Sequence, residues 1–238
     1  MIDGERFERL LAESVRLHGH LCPGQVLGVR LALCGLEKVG LPEPKGKDRG
    51  KLLLFVEIDR CATDALQSVT GCSLGHRNLR FLDYGKMAAS FVNLETQQAV
   101  RVAAREEARE KAGRYFPHLQ DRRECQRQAY SMMPDRELFS WKYVRITVLP
   151  QDLPGKPLRR VRCEACGEMI QDMREVVRDG RTFCAPCAFG GAYYRVQQTC
   201  FPVGGGQARW SGFLSEAGTK GRGRDRQDAG RLSAPESP

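Results

Sequence analysis

His18-Gly19-His20-Leu21-Cys22-Pro23-Gly24 places two imidazoles, one thiol and a Pro-Gly pair in a single short stretch. Apolar residues recur at helical spacing on both sides of it. Leu10, Leu11, Val15 and Leu17 come before, and Val26, Leu27, Leu31, Ala32 and Leu36 come after. The stretch therefore reads as a tight bend between two amphipathic helices, expected over residues 2–17 and 23–39. Cys22 falls near the N-cap of the second helix, and Pro23 suits its first helical position. A thiol there faces unpaired backbone N–H groups and the positive end of the helix dipole, which favour thiolate. Thiolate is the form that binds a soft or borderline metal. With His18 and His20 beside it, the bend supplies the S and N donors that zinc accepts. The plainer alternative is a capping cysteine between two solvated histidines. Three such side chains crowded together favour a site.

Beyond the bend, Leu41 to Gly50 is rich in Pro, Gly and charge and reads as a loop. Lys51 to Ile58 is a nearly continuous apolar run, as in a strand covered on both faces. A short helix is expected from Cys61 to about Val69, followed by a turn over 70–75. Short strands follow at 79–83, 86–92 and 97–103. A polar helical region spans 105–130 and breaks near Pro117, and 138–148 reads as a last strand. Two helices, a strand, a helix, further strands and a helical excursion give an α+β class with a mixed sheet of about five strands flanked by helices. The chain of 238 residues is long enough for one core domain, expected at 1–150, and a small second module. Pro150 to Pro157 is a linker, the module is expected at 158–202, and the Gly/Arg-rich stretch 203–238 reads as a disordered basic tail.

The ten cysteines do not look like a secreted disulfide framework, because four form C-x-x-C pairs and others neighbour His and Asp. A reducing cytoplasm and metal-binding thiols fit better. The N-terminus shows no signal peptide, and no apolar run is long enough to span a bilayer, so no membrane partner is expected. A net charge of +9 permits a polyanionic partner without requiring one.

Cys163, Cys166, Cys184 and Cys187 make two C-x-x-C pairs separated by seventeen residues, a spacing typical of four-cysteine zinc modules. Gly167 permits a tight knuckle after the first pair. Arg174 to Phe183 reads as a hairpin turning at Asp179-Gly180, and Cys184 would open a short helix. Knuckle, hairpin and ligand-bearing helix make a treble-clef zinc finger. A closed four-thiolate zinc would be structural, supplying folding free energy that so small a core lacks. Arg159, Arg160, Arg162, Arg174, Arg178 and Arg181 give the module a basic surface.

Asp59-Arg60-Cys61 lies at the C-terminal end of the first expected strand, where α/β folds often build ligand sites. Cys61 repeats the logic of Cys22, a thiol at a helix N-terminus. If this strand edge abuts the bend, His20, Cys22 and Cys61 can converge on one metal with a fourth position open, as in a catalytic ion.

These motifs together resemble a known family. His18-Gly19-His20-Leu21-Cys22-Pro23-Gly24, then Glu57 to Cys72, then Gly75, Asn78, Leu79 and Asp83-Tyr84-Gly85-Lys86-Met87 are similar to the FmdE family, named for a subunit of molybdenum formylmethanofuran dehydrogenase. The resemblance covers roughly residues 10–150. It implies a thioredoxin-like α+β core, often followed by a treble-clef zinc finger, and an active site at the first two motifs that can hold zinc or another divalent metal. Carried over by position, the candidate ligands are His18, His20, Cys22 and Cys61, with Cys72 as a further candidate. Asp59 and Asp64 would orient an imidazole or carry protons. Cys22 lacks the second cysteine of a C-x-x-C redox pair. Cys34, Cys125 and Cys200 lie outside the motifs and read as ordinary cysteines.

Two functions follow. The first is a zinc-dependent enzyme or accessory subunit in one-carbon or molybdoenzyme metabolism. There the metal polarises a carbonyl or activates water, Asp59 or Asp64 handles the proton, and molybdoenzyme subunits are the partners. The second is a zinc-finger protein whose finger and basic tail engage nucleic acid or protein, with the core as scaffold. A homodimer is open under either.

Overall fold

The computed structural model describes residues 3–194. The tail expected at 203–238, the end of the finger and Cys200 lie outside them. By compactness the chain divides into two units. One runs through Val161 and takes in Met169–Met173; the other holds Arg162–Glu168 and the residues from Arg174 on.

In the first unit, helix α1 (Gly4–His18) starts on Asp3, whose carboxylate accepts from the Arg6 N–H. It stops at Gly19, which takes the left-handed conformation (φ 92°) that glycine adopts without a Cβ clash. Helix α2 (Pro23–Lys38) starts immediately after, with Cys22 as N-cap and Pro23 in its first turn. Strand β1 (Leu52–Val56), helix α3 (Cys61–Thr70), strands β2 (Leu79–Phe81), β3 (Ala88–Asn93) and β4 (Ala99–Ala104), helices α4 (Glu106–Tyr115), α5 (Arg122–Met132) and α6 (Asp135–Leu138), and strand β5 (Phe139–Tyr143) complete this unit's main elements. The sheet order is β2-β1-β3-β4-β5. The β1–β2 pair is parallel and the other pairs are antiparallel, so the fold is α+β with a five-stranded mixed sheet flanked by helices.

Strand β1 is covered on both faces. Leu52, Leu54 and Val56 join the main core with α1, α2, α3 and α5, while Leu53 joins Val92 and Ala99 in a second cluster on the other face. Val144, Ile146 and Val148 close that second face. Here the structure corrects the sequence expectation. The last strand ends at Tyr143; Val144 still donates to the Ala99 carbonyl at 3.0 Å, and beyond it the extended chain runs past the start of β4, with Ile146 and Val148 packed on the second face. Alternating apolar residues serve a paired strand or an extended cover equally well, so periodicity cannot separate the two.

The helix layer is tight between α2 and α3. A Cβ at Gly28 would lie 2.6 Å from the Ala65 Cβ and 2.8 Å from the Ala62 Cα, and one at Gly24 would lie 2.8 Å from the Cys61 Cβ. Only glycine lets the two helix backbones approach this closely. Arg30, 2% exposed, donates to the carbonyls of Tyr130, Ser131 and Met133 and to Asp135, satisfying the acceptors at the end of α5. No helix among the described residues is long and apolar enough to cross a membrane.

The second unit contains a knuckle at Cys163–Gly167, the hairpin of β8 (Val176–Arg178) and β9 (Arg181–Phe183), and the short helix α7 (Ala185–Phe189). The two-stranded sheet of β6 (Arg160–Arg162) and β7 (Met169–Gln171) counts, but for Arg162, with the first unit. Glu164 ties knuckle to hairpin: its amide donates to the Thr182 carbonyl at 2.9 Å, and its carboxylate accepts from the Thr182 amide at 2.6 Å.

Candidate metal centres

The αL turn at Gly19 folds the end of α1 back toward the start of α2. It thereby brings donor atoms of His18, His20 and Cys22 within 4.8 Å of one another. The two imidazoles are 4.5 Å apart between centroids. His18 Nδ1 is 2.7 Å from Asp64 Oδ2, across from α1 to α3. In the neutral ring, a carboxylate accepting from Nδ1–H leaves Nε2 as the lone-pair nitrogen. His18 Nε2 is buried and has no hydrogen-bond partner within the protein. A buried ring nitrogen with a free lone pair, beside a second imidazole and a thiol, is a donor set that fits zinc or a similar borderline cation.

Cys61 begins α3 directly across from Cys22. Both sulfurs lie 3.6 Å from the point a Gly24 Cβ would occupy, so the two thiols share one side of the α2–α3 interface. The expected thiolate bias at Cys61 is reversed: burial first, and then the Cys22 thiol, raise its pKa above the ordinary cysteine value. The helix N-terminus alone does not overcome those two effects. A cation against the pair would reverse them, since coordination deprotonates a thiol outright.

Cys72 is not brought to this group. It is 2% exposed in the main core, its sulfur faces the Leu52 carbonyl at 4.0 Å, and burial pushes its thiol up to about 11. The turn after α3 carries it under the sheet, away from the start of the helix where Cys61 stands. Asp59 is exposed on the turn between β1 and α3.

Two residues at this centre escape sequence reasoning. Ser14 and Gln25 are fully buried; the Ser14 hydroxyl donates to the Gln25 side-chain carbonyl, and Gln25 Nε2 donates to the Cys61 carbonyl at 2.5 Å. They link α1, α2 and α3 beneath the two thiols. The available signal was Ser14 itself, a polar residue on the apolar stripe of Leu10 and Leu11.

In the finger, the sulfurs of Cys163, Cys166, Cys184 and Cys187 lie within 4.8 Å of one another. Burial works against ionising Cys163, but amides of Cys166, Cys184 and Ala165 aimed at its sulfur outweigh it and bring the thiol to about 6. Burial raises Cys166 and Cys187, each also held up by neighbouring thiols. One pre-ionised sulfur among clustered thiols is a nucleus on which a closed tetrahedral zinc assembles. Three of the basic residues contribute inside the module. Arg162 donates to the Gly167 carbonyl, Arg178 to the Ala188 carbonyl, and Arg181 pairs with Glu164.

Comparison with known proteins agrees with this geometry. Residues 156–190 match the prokaryotic dksA/traR C4-type zinc finger. A probable S-adenosyl-L-methionine-binding protein of Archaeoglobus fulgidus is 34% identical over 227 residues, covering 89% of this chain. The chain spans 59% of that relative's length. The crystal structure of an FmdE-like protein of the tungsten formylmethanofuran dehydrogenase type, from Syntrophus aciditrophicus, shares the fold. It has a TM-score of 0.53 and 22% identity, over 79% of this chain and 95% of the other. Residues 17–140, which carry the bend, the two thiols and the mixed sheet, match the family described as FmdE, molybdenum formylmethanofuran dehydrogenase operon. The chain is thus a zinc-binding member of the FmdE family with a C4 zinc finger behind its FmdE domain.

Proposed function

We propose that His18, His20 and Cys22 hold a divalent metal, zinc by its donor set, with a coordination position open to a small ligand. The observation that carries this is His18, held through Nδ1 by Asp64 with its buried Nε2 unpartnered. When bound, the metal supplies Lewis acidity to polarise a carbonyl or lower the pKa of a water. Asp64 fixes the tautomer and ring of His18. Cys61 flanks the group beside Cys22, and Asp59, exposed on the turn before α3, is the carboxylate assigned to move a proton.

The role is that of an enzyme or accessory subunit in one-carbon metabolism, working with a molybdenum or tungsten oxidoreductase in the cytoplasm. On the same reading the core (1–150) is thioredoxin-like and the finger (158–202) is a treble clef with a structural zinc. A nucleic-acid role would draw on the finger's arginines, three of which are engaged in contacts within the module.

The test is metal content of anaerobically purified protein, comparing wild type with Cys22→Ser and Cys163→Ser. Two metals per chain are expected, each variant losing a different one. Cobalt substituted at the first site should change its visible spectrum with formate, a formamide or S-adenosyl-L-methionine, the last suggested by the Archaeoglobus relative. A single metal that survives Cys22→Ser would overturn the reading.

A further inference from the structure

Cys22 and Cys61 start neighbouring helices, and the same close approach that requires glycine at positions 24 and 28 places each of their sulfurs 3.6 Å from one point, that of a Gly24 Cβ. Both are half-buried, so a small oxidant can reach them. The backbone behind them is pinned, since buried Gln25 follows Cys22 closely in α2 and donates to the Cys61 carbonyl. The remaining described thiols of the core are shut away. Cys34, Cys72 and Cys125 are 1%, 2% and 4% exposed, and burial pushes Cys34 up to about 12. In the finger, the four cysteines make up the C4 zinc site, and a zinc bound there would hold them.

We propose that Cys22 and Cys61 form a reversible redox pair, closing an intramolecular disulfide when the chain meets a hydroperoxide. In this step one sulfur attacks the peroxide oxygen, the O–O bond breaks and a sulfenic acid forms. The second sulfur attacks the first, the S–O bond breaks and the S–S bond forms. Both thiol protons end in water, and the peroxide takes the two electrons. With hydrogen peroxide the products are one disulfide and two waters. A dithiol reductant reverses the step by exchange through a mixed disulfide. Cys22 lacks a C-x-x-C partner in sequence; its partner comes from the next motif, across the helix interface. On the metal reading given above, on which this consequence rests, Cys22 cannot be disulfide and ligand together, so oxidation expels the first metal.

The test treats full-length, zinc-loaded protein with a single equivalent of hydrogen peroxide, followed by alkylation and non-reducing peptide mapping. Tryptic peptide 17–30 is expected joined to peptide 61–77. Because that second peptide also carries Cys72, mapping is repeated on Cys72→Ala and on wild type further cut with chymotrypsin at Leu66. The bridge should vanish on reduction and be absent from Cys61→Ser. Sulfinic acid on Cys22 without a bridge, or a bridge from Cys22 to any other cysteine, overturns the proposal. A zinc-sensitive dye followed in parallel separates the two readings. Zinc released in step with the bridge supports both. A bridge without release upholds the redox pair and overturns the metal site. Release without a bridge overturns the pair alone.

Discussion

Replacing Gly28 by alanine sets two effects against each other, and the structure decides between them. Alanine is the better residue in a helix interior by about 1 kcal/mol. Against that gain, the new Cβ would lie 2.6 Å from the Ala65 Cβ and 2.8 Å from the Ala62 Cα and carbonyl oxygen. Carbon atoms pack best at about 3.5–4.0 Å, so α3 must retreat by roughly an ångström. The atoms in the way are backbone or a first side-chain carbon, and no rotamer change clears them. Overpacking of this kind costs about 1–3 kcal/mol, and rigid neighbours place it at the upper end. The clash should therefore win by about 1–2 kcal/mol. For a chain of this size that lowers Tm by about 2–8 °C. Calorimetry on the core transition measures it, with Gly113→Ala as control. Gly113 is exposed in α4 with nothing within 4 Å of its added Cβ, so there the helix-forming gain acts alone and should stabilise. A Gly28→Ala protein as stable as wild type would refute the close α2–α3 approach, and with it the reason Cys22 meets Cys61.

Three further outcomes follow from the site. Asp64→Asn should weaken the first metal by about 10–100-fold in chelator competition while the finger zinc stays, because an amide can donate to Nδ1 and leave the proton on Nε2; equal affinity would remove Asp64 from the site. Cys72→Ala should lower Tm modestly, by loss of a buried sulfur, with metal content unchanged; a lost metal would return Cys72 to the ligand set. Arg101 forms a bidentate pair with Glu57, which is 5% exposed, at 2.6 and 2.7 Å. Arg101→Met should cost about 3–5 kcal/mol in denaturant unfolding by stranding that carboxylate, and adding Glu57→Gln should recover much of it; a cost under about 1 kcal/mol would show that the pair is effectively solvated.

Residue order alone was enough for whatever depends on near neighbours along the chain. Helix periodicity on either side of the bend, a Cys22 cap followed by Pro23, the doubly covered apolar run of β1 and the two C-x-x-C pairs are rules that operate within a turn or two of backbone. They placed α1, α2, β1, α3 and the mixed sheet, and marked both cysteine clusters. Which distant side chains meet was set by packing. Cys61 and Cys72 look alike in sequence, each beside an end of the same helix. One end of α3 faces the bend and the other runs into the core, so one thiol joins Cys22 and the other is buried. That choice is made by α2 lying against α3 at Gly24 and Gly28, whose lack of a side chain has meaning only once the opposing helix is known. The His18–Asp64 pair and the Ser14–Gln25–Cys61 link depend on the same packing. Ile146 and Val148 show the converse limit: their alternation meant extended chain, but β4 begins at Ala99 and gives it no partner beyond Val144, so it packs on the second face of the sheet without joining the ladder.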